Sequence, residues 1–168
     1  MDKSFAGIFE ALQDRVFRYA MRMLGNEEDA GDVVQDVGEK LVRMGNALWQ
    51  IDNTGAYALT IARNLCMDRL RHEQVKARKL AFLRREDISP DNEIHGYERK
   101  DTAGLIRQMI DRLPEKQKTA IHLRDVEGYE YEEIARIMGS DIQAVRMNLS
   151  RARKTIKEKL IKLHNYGT

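Results

Sequence analysis

The sequence predicts an all-α protein built as two small helical domains joined by a linker. Three observations carry that reading. Apolar residues recur at spacings of three and four along most of the chain, while the alternation of a half-buried strand is scarce. Only two prolines, Pro90 and Pro114, interrupt 168 residues. The stretch from Tyr131 to Lys154 reads as a short helix, a tight turn at Gly139-Ser140, and a second helix capped by Asp141. A hydrophobic fraction of 42% is enough for real cores, and this length suits one domain or two small ones.

The first helix carries an apolar stripe of Phe5, Ile8, Phe9, Leu12, Val16, Tyr19, Ala20, Met23 and Leu24, and Gly25-Asn26 ends it. Asn26 caps the next helix, whose first turn, Glu27-Glu28-Asp29, sets negative charge against the positive helix terminus. That helix buries Ala30, Val33, Val34, Val37 and Leu41, and its acids lie mostly on the opposite face. Loop chemistry follows at Met44-Gly45-Asn46 and Ile51–Gly55. Thr54 or Asn53 caps a helix from about Ala56 to about Val75, with a buried stripe of Tyr57 or Ala58, Ile61, Ala62, Leu65 and Leu70. From Lys76 to Thr102 the pattern degrades into crowded charges and the loop sequence Ile88–Gly96, with a few turns of helix around Lys79–Arg85. This is the boundary, giving domains over 1–75 and 103–168 and a linker over 76–102.

A helix around Ala103–Arg112 opens the second domain. Another starts at Leu113-Pro114-Glu115, with proline tolerated in its first turn, buries Ala120, Ile121, Leu123 and Val126, and stops near Gly128. The helix-turn-helix completes the fold. Its first helix buries Ile134, Ala135 and Met138; its second buries Val145, Leu149, Ala152 and Ile156. The other face of the second helix carries Gln143, Arg146, Met147, Asn148, Ser150, Arg151, Arg153 and Lys154, the ingredients of a helix that reads the DNA major groove.

The net charge of +2 says little, but its distribution says more. Residues 27–39 hold six acids and no base; residues 63–85 hold eight bases and two acids; residues 140–168 hold seven bases and two acids. This segregation suggests two basic surfaces for nucleic acid and one acidic surface for another partner. The single cysteine, Cys66, excludes an intramolecular disulfide framework and points to a reducing cytoplasm. The sequence shows no signal-peptide core and no apolar run long enough to span a bilayer. The four histidines, His72, His95, His122 and His164, lack zinc-ligand spacing, and phosphate-binding glycine loops and nucleophile motifs are missing. No enzyme activity, metal or cofactor is expected.

Three separated motifs in this order resemble a bacterial RNA polymerase sigma factor of the extracytoplasmic-function (ECF) group. Asp29-Ala-Gly-Asp-Val-Val-Gln-Asp36 resembles the acidic polymerase-binding segment of sigma region 2. Ala56–Arg71 resembles the helix that engages the −10 promoter element. Leu113–Lys118, Tyr131–Ala135 and Arg151–Lys154 together resemble sigma region 4, a helix-turn-helix of winged-helix-like type. The resemblance implies a subunit without catalytic activity that binds core RNA polymerase and promoter DNA, commonly under the control of an anti-sigma factor.

Carried onto this chain, the resemblance places polymerase binding at Asp29, Asp32, Gln35 and Asp36. Gly31 departs from the glutamate common in the family, which costs the helix about 0.5–1 kcal/mol relative to alanine. It places −10 contacts at Trp49, Asp52, Asn53, Thr54, Arg63, Asn64, Asp68 and Arg71, with Trp49 either stacking on a base or packing in the core. On the last helix, Arg146 and Arg151 would read −35 bases beside Gln143, Met147 and Ser150, while Asn148, Arg153 and Lys154 would hold phosphates. Asn148 stands where the family often has a base. The rival readings are a free-standing helix-turn-helix regulator, which leaves the acidic helix and the second basic segment without a role, and an adaptor that binds protein alone.

Overall fold

A computed structural model describes residues 5–84 and 102–165. The expected loop at Ile88–Gly96, His95 and most of the linker lie outside the described residues. The first domain contains α1 (Phe5–Leu24), α2 (Glu27–Met44) and α3 (Thr54–Arg84); the second contains α4 (Thr102–Asp111), α5 (Glu115–Ile121), α6 (Tyr131–Met138) and α7 (Ile142–Asn165). Among the described residues there is no strand, so the winged-helix likeness extends to the helices alone.

Local chemistry sets most boundaries. The Asn26 side chain accepts the Asp29 N–H at 2.9 Å, and Asp141 accepts the Ala144 N–H at 2.7 Å, so both caps satisfy donors the first helical turn leaves open. Asn53, rather than Thr54, caps α3 through the Ala56 N–H at 2.9 Å. Gly139 ends α6 at φ +60°, and the Ser140 N–H bonds back to the Ala135 carbonyl at 2.9 Å, which closes the turn of the helix-turn-helix.

The structure departs from expectation in four respects. Gly45–Gln50 is a 3₁₀ helix rather than loop, and it seats Leu48 in the core. The third helix runs unbroken past Val75 to Arg84, although its last turns bury almost nothing. Lysine, arginine, alanine and leucine are strong helix formers and sustain it without packing. Val34, Leu65 and Leu70 are only half-buried. After α5 the backbone widens into a π turn over His122–Val126, closed by the Glu127 N–H on the His122 carbonyl at 3.0 Å, and this turns Val126 outward.

The core of the first domain joins Val16, Tyr19 and Met23 of α1 to Val33, Val37 and Leu41 of α2 and to Ala58, Leu59, Ala62 and Cys66 of α3. In the second, all four stripe residues of α7, Val145, Leu149, Ala152 and Ile156, are buried, as are Ile134 and Ile137 of α6. The two domains also pack on each other, α1 against α5 and α3 against α6. At their centre the fully buried Tyr19 hydroxyl lies 3.1 Å from the Thr119 hydroxyl, and the Tyr19 ring meets His122 edge-on at 5.8 Å.

Placing a Cβ-bearing residue in the left-handed conformation of Gly139 is strained. Gly139→Val is expected to cost about 1–3 kcal/mol and Gly139→Asn clearly less, measured by urea unfolding.

Candidate nucleic-acid interface

The recognition face of α7 holds together. Gln143, Arg146, Met147, Ser150, Arg151 and Lys154 are all exposed and share one side of the helix, opposite the buried stripe. The Arg146 guanidinium stacks over the Tyr131 ring at 5.3 Å, which restricts its rotamers and links the two helices of the motif. Lys154 reaches Glu158 at 3.9 Å, a loose surface pair. Two expected phosphate contacts stand apart. Asn148 is half-buried and donates to its own helix at the Ala144 carbonyl (2.8 Å). Arg153 turns toward the π turn and grips Asp125 in a two-pronged pair at 2.6 and 3.1 Å, which raises its already high pKa.

The −10 set is divided between two directions. Asn64, Asp68 and Arg71 lie at spacings of four and three on one exposed side of α3, with Arg71 and Asp68 paired at 3.6 Å. Trp49 is 48% exposed beside the buried Leu48, and Asp52 is exposed, so this part of the set is accessible. Arg63 and Asn53 point the other way, into the second domain. Arg63 pairs with Glu115 at 3.3 Å. Asn53 donates its amide N–H to Glu133, whose other carboxylate oxygen accepts the Glu130 N–H at the start of α6. One asparagine thus ties the cap of α3 to the cap of α6. Thr54 is half-buried beside it.

The acidic set converges on a residue of α3. Arg69 lies 3.1 Å from Asp29, 3.6 Å from Asp32 and 3.3 Å from Asp36. One guanidinium against three carboxylates leaves a negative excess on this face. The exposed Gln35 borders a shallow apolar groove formed with Phe5, Phe9, Gly38 and Val42.

The seam between the domains carries charges that sequence reasoning missed. Arg18 holds Glu127 at 2.7 and 3.0 Å, Arg22 meets Asp111 at 2.6 Å, and Arg15 donates to the Tyr129 hydroxyl at 3.2 Å. A cleft of about 590 Å³ runs along the seam beside Arg18, Arg22, Lys118 and His122. The only signal available in sequence was the spacing of Arg15, Arg18 and Arg22 on one face of an otherwise apolar helix. Among the described residues no cluster of His, Cys, Asp and Glu is placed to hold a metal, and no helix is long and apolar enough to cross a membrane.

Comparison with known proteins shows the family. The family model of sigma-70 region 2 matches residues 8–75, and that of sigma-70 region 4 matches residues 103–156. The RNA polymerase sigma factor SigV of Bacillus subtilis is 32% identical over 146 residues, covering 87% of this chain and 84% of its own. The ECF RNA polymerase sigma factor SigE of Mycolicibacterium smegmatis is 29% identical over 154 residues, covering 89% of this chain. This chain therefore belongs to the sigma-70 family, in its ECF group. It spans 58% of the length of SigE and 59% of that of BldN from Streptomyces coelicolor. The sigma factor RpoE from Bartonella quintana, solved with the anti-sigma factor NepR, shares the fold at a TM-score of 0.72 and 24% identity, over 93% of this chain and 96% of that one. CnrH, solved with the cytosolic domain of CnrY, shares it at 0.62 and 20%, over 94% and 88%.

His122 gives the seam a pH dependence. It is 2% exposed and neither ring nitrogen has a hydrogen-bond partner. Burial lowers its pKa from 6.5 to about 4, outweighing the nearby Glu127 carboxylate, while Arg22 and Arg18 add to the lowering. The unfolded chain then binds the proton first, so stability is full above pH 6.5 and falls as pH drops toward 4. The expected loss is about 3 kcal/mol. In urea unfolding at stepped pH, His122→Leu should flatten this limb.

Proposed function

We propose that this chain is a promoter-specificity subunit: an ECF-type sigma factor that binds core RNA polymerase and directs it to start transcription at particular promoters. One observation carries the reading. A sigma region 2 match with an acidic face and a sigma region 4 match with an intact recognition face occur in one chain, in the family's order. The division into 1–75, 76–102 and 103–168 follows the functional parts, although α3 itself extends past residue 75.

In this mechanism the acidic face of α2, with Asp29, Asp32, Gln35 and Asp36, docks on polymerase, where complementary charge chiefly speeds and orients encounter. Asn64, Asp68 and Arg71, with Trp49, Asp52 and Thr54 before them, hold the opened −10 element; Asn53 and Arg63 join them when the domains part. The α7 face reads the −35 element. Two modest DNA contacts become strong once polymerase holds both domains, because the second is then intramolecular. The chain carries no catalytic chemistry of its own and works in the cytoplasm, where polymerase is. An anti-sigma factor is the expected regulator, supported by the partners named in the RpoE and CnrH structures.

Run-off transcription with core polymerase tests the reading. No stimulation at any genomic promoter, combined with tight operator binding by the chain alone, would indicate a free-standing regulator instead. Arg151→Ala should weaken −35 recognition by about 1–3 kcal/mol, read by footprinting of the holoenzyme. Asp32→Asn with Asp36→Asn should slow association with core polymerase about tenfold at low salt, read by stopped-flow fluorescence.

A further inference from the structure

The four guanidiniums at the domain seam form one row. Arg15, Arg18 and Arg22 are spaced three and four apart on α1, which puts them on a single face, and Arg63 of α3 continues the row beside Tyr19. The ion pairs these four make among the described residues all cross to the second domain: Arg15 and Arg18 to Glu127, Arg22 to Asp111, and Arg63 to Glu115. Three carboxylates therefore serve four guanidiniums. The donors are undersupplied: Nε of Arg22 and Nε of Arg63 are buried without an acceptor. Arg22 takes up the Arg107 carbonyl at a stretched 3.5 Å, and Arg15 turns to a neutral phenol.

We propose that Arg15, Arg18, Arg22 and Arg63 are a phosphate-binding track that extends the −10 surface onto α1, and that Glu127, Asp111 and Glu115 occupy it while the chain is closed. The proposal rests on the sigma-factor reading and deepens it. A guanidinium fork donates to two oxygens of one acid group, and a carboxylate and a phosphodiester both present such a pair. The second domain thus sets carboxylates where a nucleic-acid strand would set its phosphates. Separating the domains would expose four positive charges in a row, one of which, Arg63, already belongs to the −10 set. A repeated line of anions suits that row better than a single small ligand does.

A rival explanation is that the arginines serve only as a latch. The two differ once the domains are apart, since a latch has no task in the holoenzyme on a promoter. The test compares two charge-removing pairs in holoenzyme with core polymerase on a promoter fragment. Arg15 and Arg18 are about half exposed, and the Glu127 carboxylate they leave unpaired is hydrated once the domains part, so Arg15→Ala with Arg18→Ala is compared with wild type after its folding is checked by the far-UV CD melt. The expected result is a fall of about tenfold or more in promoter affinity. The slope of log affinity against log salt should shrink by about 1.4, or about 0.7 for each phosphate of a single strand. Arg15→Lys with Arg18→Lys should restore the slope. Asp111→Asn with Glu127→Gln, which loosens the seam from the acidic side, should leave the holoenzyme slope at the wild-type value and raise interdomain distance in the free chain, read by fluorescence energy transfer. A wild-type slope and affinity in the arginine pair would overturn the proposal, as would an equal shift in both pairs. If the wild-type chain itself fails to form an active holoenzyme, it is the sigma-factor reading that fails.

Discussion

The closed arrangement of this protein turns on Glu127. Its carboxylate is almost fully buried between two arginines of α1 and the His122 ring, a place where an unpaired charge would cost several kcal/mol. The two-pronged bond from Arg18 and the positive charge around it outweigh burial and hold the Glu127 pKa below the usual carboxylate range. Because acid and base come from opposite domains, neither is well satisfied alone in a dry setting. The seam therefore favours either a tightly closed chain or one in which both surfaces are wet. Partial opening, which leaves one charge buried and unpaired, is the least favourable state.

The π turn makes this geometry possible. His122 is still set by α5, its N–H bonded to the Lys118 carbonyl, but an α-helical continuation would rotate the residues that follow by a different amount, and the widened turn carries Val126 outward. The same stretch ends at Gly128, with φ +77°, and the Tyr129 N–H returns to the Leu123 carbonyl. Tyr129 then packs beneath Arg15, 5.8 Å from ring to guanidinium. A single irregular turn thus supplies both partners for α1.

Much of the architecture was legible because it is locally determined. Asn26 and Asp141 announce helix starts by side-chain chemistry alone, and the stripe Val145–Leu149–Ala152–Ile156 fixes which side of α7 faces inward and hence which side is left exposed. The side chains placed on the wrong surface share a physical cause, dependence on partners far away in sequence. The tyrosine that Arg15 meets is 114 positions later, so periodicity could show only that three arginines shared a face. In sequence Arg153 reads as part of the DNA face, because charge on a basic helix has no visible direction until its partner, Asp125, is in place. Arg63 and Asn53 were assigned to the −10 surface by resemblance, and the fold adds that the closed chain occupies them with Glu115 and Glu133.

The unbroken length of α3 has a mechanical meaning. Beyond Leu70 it projects as a rod of about 21 Å, with Phe82 85% exposed and Leu83 77% exposed near its tip. The chain therefore leaves the first domain from the end of an outrigger rather than from its surface. The exit point is thereby displaced by about 21 Å from the packed body of the domain, in the direction the helix axis sets. In this protein the point where the chain leaves the first domain is set by the stiffness of one helix.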